Sequence, residues 1–438
     1  MRITMIGTGY VGLVSGACFA EFGAEVICVD VDRAKIDRLN RGEIPIFETG
    51  LEELVIRNRK EGRLLFQTDT MEAVSKSDLV FIAVGTPERR GDGAADLQYV
   101  FQAARDVAKG IQKFTVVVTK STVPVGTGEK VARIIREENP DADFEMASNP
   151  EFLREGAAIE DFMNPDRVVI GVESERAAQV LKNLYRPLYR SETPILITNI
   201  ATAELTKYAA NAFLATKITF INQLANLCES VGADVHHVAK GMGLDRRIGS
   251  QFLQPGPGYG GSCFPKDTQA LAKTAREHNQ PVGIVEQVIE ANRQQKERMI
   301  DKIVHALSGT VAGKQLAILG LTFKPNTDDL RDAPALTILP ALLRLGAIIR
   351  AYDPEGMREA AKFLPGVELV AGPYEACKNA DAVVILTEWN QFRNLQLNRL
   401  KTLLTPQADG RLVFCDLRNI YEPALMKEQG FHYICVGR

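Results

Sequence analysis

No stretch of about 18 consecutive apolar residues occurs, so no membrane-spanning helix is expected. No charge of one sign dominates. A net charge of -3 over 438 residues leaves no basic footprint for nucleic acid. The seven cysteines are odd in number and scattered, without metal-type spacing. That argues against a disulfide framework and against a zinc site, and no metal is expected. No basic-then-apolar leader precedes the first strand, Arg2 to Gly7, and no low-complexity tract appears. These absences lead us to expect a cytoplasmic protein. A hydrophobic content of 45% is ample for packed cores, and the length suggests roughly three domains.

One loop stands out, Pro255-Gly256-Pro257-Gly258-Tyr259-Gly260-Gly261-Ser262-Cys263-Phe264-Pro265-Lys266-Asp267. Its glycines and prolines exclude a helix or a central strand and let backbone approach a ligand closely. A helical pattern follows, which Asp267 is placed to cap. Cys263 beside a helix N-terminus and a lysine has the setting of a lowered thiol pKa and a strong nucleophile. Taken alone, such a cysteine is more often a small buried hydrophobe.

The N-terminal third decides what the thiol attacks. A strand at 2–6 runs into Gly7-Thr8-Gly9-Tyr10-Val11-Gly12, which opens an apolar helix. Gly23 ends that helix, and a second strand ends in Asp30, 18 residues after Gly12. This is the dinucleotide fingerprint in its required context. The glycines admit the tight turn and the pyrophosphate, and Asp30 accepts the ribose hydroxyls. An acid there repels a 2′-phosphate, which favours NAD over NADP. Strands at 78–84 and 114–120 place Thr86 and Thr122 at carboxyl ends, where such sheets bind ligands. Glu151 and Glu155 follow another strand and share a cleft if a helical turn begins there. Further strands are expected at 166–171 and 194–198.

From Thr202 to Val231 an apolar stripe at helical spacing, free of proline and glycine, predicts one helix of roughly 30 residues, about 45 Å long. Lys207 and Asn211 share a face of it. Such a helix suits a domain connector and dimer contact. After Gly313 a second parallel sheet is expected, with strands at 315–320, 348–353, 382–387 and 412–416. Its first turn lacks the glycine fingerprint but offers Lys324, with Arg331 close behind, which suits phosphates. A nucleotide-sugar diphosphate is the natural ligand.

NAD implies hydride transfer. A thiol beside it implies capture of an aldehyde as a thiohemiacetal, a second hydride loss to a thioester, and hydrolysis. A simple alcohol dehydrogenase needs no thiol. The expected reaction is a four-electron oxidation of a primary alcohol to an acid. Lys207 would either stabilise developing oxyanions or accept a proton, aided by Asn211 as a donor. Asp267 and Thr122 would hold water, and Glu151 would be its base; a burial-raised carboxylate pKa would suit that role.

These residues, in order over essentially the whole chain, resemble the UDP-glucose/GDP-mannose dehydrogenase family. The resemblance rests on Gly7–Gly12, Gly85-Thr86-Pro87, Ser121-Thr122-Val123-Pro124, Asn149-Pro150-Glu151-Phe152-Leu153, Lys207 with Asn211, Arg247-Ile248-Gly249, Gly260–Asp267 and Phe323-Lys324 with Arg331. It implies an α/β fold of two Rossmann-like doubly wound domains joined by a long central helix and a helical dimerisation region. The expected bounds are 1–200 for NAD, 201–305 for the helical core and 306–438 for the sugar nucleotide. It implies Cys263 as nucleophile with Lys207, Asn211, Asp267, Glu151 and Thr122. Toward NAD it implies Gly7, Gly9, Tyr10, Val11, Gly12, Asp30, Lys35, Thr86, Thr122, Glu155, Lys266 and Arg331. Toward the sugar nucleotide it implies Glu151, Phe152, Leu153, Arg154, Glu155, Lys207, Asn211, Phe252, Leu253, Gln254, Pro255, Gly256, Gly260 and Lys324. Arg247 would reach a neighbour's substrate in a homodimer or higher homo-oligomer. The chain departs from the family's pattern where Leu417 replaces a glycine before Arg418 and where Pro255 and Pro257 enter the nucleotide loop. The segment Cys263–Asp267 points to an unmodified hexose, so UDP-glucose is the expected substrate and GDP-mannose the alternative. A two-electron hydroxyacid-type dehydrogenase and a non-enzymatic NAD sensor are the competing classes.

Overall fold

The computed structural model describes residues 1–89 and 93–438. They separate into two compact units. The first is Met1–Ala210 with Lys273–Gln280; the second is Asn211–Ala272 with Pro281–Arg438. The three expected stretches thus fall into two bodies, and the division lies inside the long helix.

The first unit holds eight strands: β1 (Arg2–Ile6), β2 (Glu25–Val29), β3 (Leu64–Gln67), β4 (Leu79–Ile82), β5 (Thr115–Thr119), β6 (Phe144–Ser148), β7 (Val168–Val172) and β8 (Ile195–Thr198). Their order is β3-β2-β1-β4-β5-β6-β7-β8. All neighbouring pairs are parallel except β6 with β7. The sheet is therefore mixed where a parallel one was expected. Continuous runs such as Leu79–Ile82 and Val116–Val118 are fully buried, as a strand covered on both faces requires. The order reverses between β1 and β4, which makes the carboxyl ends of those two strands the switch point where such sheets bind ligands. Gly7 lies there at φ 98°, and a side chain on it would strike the backbone of Ala83 and Val84.

The second unit holds β9 (Gln315–Leu319), β10 (Ile348–Tyr352), β11 (Glu368–Leu369), β12 (Ala382–Ile385), β13 (Leu412–Asp416) and β14 (Phe431–Cys435). The order is β11-β10-β9-β12-β13-β14, all parallel. Helices Val235–Gly243 and Gly283–Ala306 belong to this body. The reason is one shared core: Ile221, Ala225, Val235, Leu253, Met299 and Ile303 pack in the same cluster as Leu316, Ile318 and Val384. That continuity is what merges the expected helical core with the second sheet.

The long helix spans Ile200–Val231, 32 residues. Its first turns are anchored within the first unit by Glu204, whose two carboxylate oxygens accept from the Gly126 and Gly128 amides at 2.7 Å each. Those amides open the helix Thr127–Glu138, a position that favours a carboxylate. No helix among the described residues is long and apolar enough to cross a membrane.

A Cβ at Gly12 would run into the Gly7 carbonyl oxygen. Gly12→Ala should therefore cost about 2 kcal/mol of stability and lower NAD affinity on the order of tenfold or more. Thermal unfolding and calorimetric titration with NAD check both effects; an unchanged affinity would mean the turn has room to spare.

Candidate active site

The turn after β1 leads into the helix Tyr10–Glu21. Gly9 is exposed, and a Cβ built there meets nothing within 4 Å, so a ligand can come against its backbone. Asp30, at the end of β2, is held by the Thr8 amide at 2.9 Å, the Thr8 hydroxyl at 2.7 Å and the Lys35 ammonium at 3.0 Å. Burial works against its charge, but these donors outweigh it and keep the carboxyl below its ordinary range. A fixed carboxylate beside an open glycine turn fits the ribose and pyrophosphate of NAD. Thr86 is buried and donates its hydroxyl to the Thr122 carbonyl at 3.0 Å, which ties the turns after β4 and β5 together. Tyr10 donates its hydroxyl to Glu48, which also accepts from Gly156 and Ala158. The spacing of Glu151 and Glu155 does not put them on a helical turn. Residues 151–154 are irregular, and the next helix is Ala158–Met163. Arg154 is exposed and its guanidinium is spent on Asp161 at 2.6 Å.

Glu151 sits 3.0 Å from the Lys207 ammonium, with side chains only 6% and 3% exposed. Burial raises its pKa, as expected for such a site. The Lys207 charge, the Leu153 amide at 2.5 Å and Lys120 more than reverse that, and the carboxyl is held below its usual value. The raised value that would suit a general base is therefore not what this setting produces. Phe152 lies 5.3 Å from the Lys207 ammonium and 3.6 Å from the Arg167 guanidinium, centroid to charge.

Lys120 escaped the sequence reading because it ends a strand that reads as wholly structural. It is 2% exposed, and its ammonium donates to the Asn149 side chain at 3.1 Å. Tyr185 donates to the same oxygen at 2.5 Å. Burial pushes Lys120 down to about 8, with Glu151 pulling the other way and Lys207 adding to the fall. A lysine at the very end of an apolar strand was the available signal.

In the second unit the helix begins at Phe264, one residue after Cys263. Asp267 lies in its first turn and donates its amide to the Cys263 carbonyl at 2.8 Å, so it does not cap the helix as expected. Six cysteines are buried; Cys263 alone is partly exposed. Asp267 is 1% exposed and accepts from Asn211 at 2.6 Å and from Lys266 at 2.7 Å. The loop Pro255–Gly261 is buried. The Gly261 amide bonds the Arg331 carbonyl at 2.8 Å, and Gly260 packs on the Asp332 backbone. Phe252 precedes it at φ 63°, and Leu253 is 4% exposed. Arg418 donates to the Leu386 carbonyl at 2.7 Å and the Phe323 carbonyl at 2.9 Å, and pairs with Glu388 at 3.1 Å. The Lys324 ammonium lies over the Phe323 ring, and the Arg331 guanidinium grips Asp329. Arg247 is 89% exposed, bound to Asp245. Among the described residues no cluster of His, Cys, Asp and Glu is arranged to hold a metal.

Three family models match the chain in sequence. The NAD binding domain of the UDP-glucose/GDP-mannose dehydrogenase family covers residues 1–189, its central domain 201–294 and its UDP binding domain 317–423. The chain belongs to the UDP-glucose/GDP-mannose dehydrogenase family. It is 58% identical to the UDP-glucose 6-dehydrogenase of Rhizobium meliloti (strain 1021), with both chains covered in full. It is 48% identical to UDP-glucose 6-dehydrogenase TuaD of Bacillus subtilis (strain 168), covering 100% of this chain and 93% of that one. A UDP-glucose dehydrogenase structure from Pyrobaculum islandicum superposes with a TM-score of 0.90 at 38% identity, covering 99% of this chain and 96% of that one. The family's cofactor is NAD, and the open glycine turn and Asp30 are the residues of this chain that fit it.

Lys120→Met provides a direct test of the dry site's electrostatics. A lysine whose folded pKa is depressed costs nothing above its ordinary pKa near 10.5. The cost grows as pH falls toward about 8 and is complete below that. Wild type should therefore gain about 3 kcal/mol on the variant as pH rises from below 8 to above 10. Urea unfolding midpoints of the pair at several pH values measure this; a gap independent of pH would place the lysine in contact with water.

Proposed function

We propose that the chain oxidises the primary alcohol of UDP-glucose to the carboxylate, consuming two NAD per sugar. The observation that carries this reading is the partly exposed Cys263 thiol at the start of the helix Phe264–Glu277, with the buried Asp267–Asn211 pair one turn on. NAD, when bound, takes up the hydride in each of two oxidations. Asp30, Gly7, Gly9 and Gly12 hold it, with Lys35, Thr86 and Thr122 beside them.

The first oxidation leaves an aldehyde and a proton. Cys263 adds through sulfur to the aldehyde carbon, and Lys207 with Asn211 stabilises the resulting oxyanion. A second hydride leaves that carbon and a thioester remains. Water then adds, the carbon–sulfur bond breaks, and the acid and the thiol are released. Asp267 and Thr122 hold the water, and Glu151 takes its proton. Glu151 is ionised throughout the neutral range and becomes a better base as Lys207 turns toward the oxyanion, because the charge that lowers its pKa then has a second partner. Lys324 and the loop Phe252–Gly260 serve the diphosphate and nucleoside, while Lys266 and Arg331 serve NAD.

The chain acts as a homodimer or higher homo-oligomer in the cytoplasm on this reading. Phe213, Phe220 and Leu227, seven residues apart on the long helix, are 66%, 47% and 55% exposed, a stripe that a second copy would cover. Arg247, fully presented to solvent, is then available to the neighbour's substrate.

NADH released per sugar decides the matter, with UDP-glucose and GDP-mannose offered separately to wild type and Cys263→Ser. Two NADH per UDP-glucose, with turnover reduced on the order of a hundredfold or more in the variant, is the expected result. Two NADH from GDP-mannose alone would keep the chemistry and change the substrate. One NADH, or a variant equal to wild type, would leave only a two-electron dehydrogenase.

A further inference from the structure

The loop ahead of Cys263 has no strand or helix of its own to satisfy its backbone, yet Pro255–Gly261 is buried. Buried amides and carbonyls must find partners somewhere. Here side-chain amides from two helices of the second unit supply them. Asn222, on the long helix, accepts from the Gly256 amide at 2.8 Å. Gln295, on Gly283–Ala306, donates to the Gly256 carbonyl at 2.8 Å. Asn292, one turn earlier, accepts from the Tyr259 amide at 2.8 Å and donates to the Tyr259 carbonyl at 3.1 Å. Asn226 donates to the Gln295 side-chain oxygen at 3.0 Å, which fixes the amide that faces Gly256.

Asn292 and Gln295 use the property that separates an amide from other side chains, a donor and an acceptor on one rigid group, whereas Asn222 contributes its acceptor. Asn292 pairs with Tyr259 as a neighbouring strand would. Gly258, between the two clamped residues, takes φ 105° and presses on Asn292; a Cβ there would sit 2.9 Å from the Asn292 oxygen. The three clamping side chains are 2%, 7% and 4% exposed for Asn222, Asn292 and Gln295, so solvent does not compete for these bonds. On its other flank Gly256 faces Arg418, 3.5 Å from a Cβ built on the glycine.

We propose that Asn222, Asn292 and Gln295 are positioning residues for the reaction: they hold the backbone of the sugar-nucleotide loop, and so set the KM for UDP-glucose, without touching substrate. This rests on the reading above of that loop and of Cys263. The chemistry of the clamp makes a sharp distinction. Asn222→Asp keeps an oxygen acceptor for Gly256 in either protonation state, whereas Asn222→Leu, of similar volume, leaves the buried Gly256 amide unmet.

The test is steady-state kinetics on the full-length chain with UDP-glucose and NAD varied in turn. Asn222→Leu should raise KM for UDP-glucose about tenfold, the range expected for an orphaned buried amide. KM for NAD should stay within about twofold, and Asn222→Asp should recover most of the loss. Gln295→Met, which strips the Gly256 carbonyl of its donor, is measured in the same way and carries the test should Asn222→Leu fail to fold. A folded Leu or Met variant with wild-type KM for UDP-glucose would overturn the proposal. So would an Asp variant as impaired as Leu, or an equal rise in KM for NAD. Cys263→Ser, run alongside, separates the two levels: if it still yields two NADH per sugar, the underlying reading has failed. If it is inactive while the clamp variants behave as wild type, only the clamp has.

Discussion

Lys207 and Glu151 face each other at 3.0 Å where water is nearly excluded, and much of the first unit is arranged by that fact. Neither charge is tolerable there without the other; removing one partner of such a pair costs about 3–5 kcal/mol. The pair also needs further bonds, since Coulomb attraction alone does not offset desolvation. The Leu153 amide supplies one to Glu151. Lys207 rides on a helix whose own start must be fixed for the pair to form, and Glu204 fixes it by gripping two amides at the head of Thr127–Glu138. Burial pushes Glu204 up to about 7, opposed by those same amides. The opening turns of a helix 32 residues long thereby become part of the first unit, which is why the division between bodies falls after Ala210 and not at a linker.

The second unit solves the matching problem for a loop that carries a nucleophile. Glycine and proline free Pro255–Gly261 from regular structure, and the freed backbone is then satisfied piece by piece from helices and from the turn at 331–332. Asp267 is as dry as Glu151, and its partners Asn211 and Lys266 are the local counterpart of Lys207. Both units thus place a buried carboxylate against a lysine next to their reactive features, one by an ion pair across distant residues, the other by a lysine adjacent in sequence.

What could be read from the sequence was whatever is written locally. Strand, turn, helix, strand and acid between Arg2 and Asp30 gave the first sheet's start and the cofactor, and the absence of helix breakers gave the long helix to within two residues of its start. Cys263, Lys207 and Asn211 were legible because their neighbours were unusual. The pairing of Asn211 with Asp267, 56 residues apart, was not, since nothing local marks it. Nor was the antiparallel β6–β7 step: an apolar run of five reads the same in either direction. Asp267 looked like a cap because capping is a statement about one residue, whereas the helix in fact starts where Cys263 already serves as the flanking residue. The extent of the second compact body was not legible for a related reason. Residues 201–305 read as a helical region by periodicity, and the apolar faces of its helices from Ile221 onward share one core with the second sheet.

Lys120 shows how far burial can alter the meaning of a residue. As a letter at the end of Thr115–Thr119 it is unremarked; at 2% exposure it is the second ammonium in a dry neighbourhood that contains one ionised glutamate. With Lys207 and Glu151 it leaves one positive charge in excess below pH 8, held by the Asn149 oxygen and facing three aromatic rings at 5.9 Å. An excess charge that cannot be solvated is stabilised by any anion formed within reach. Within the first unit the partner of that charge is Glu151, which raises the Lys120 pKa against the pull of burial and of Lys207. In water the same imbalance of charge would be largely screened; at 3% and 6% exposure Lys207 and Glu151 are spared that screening.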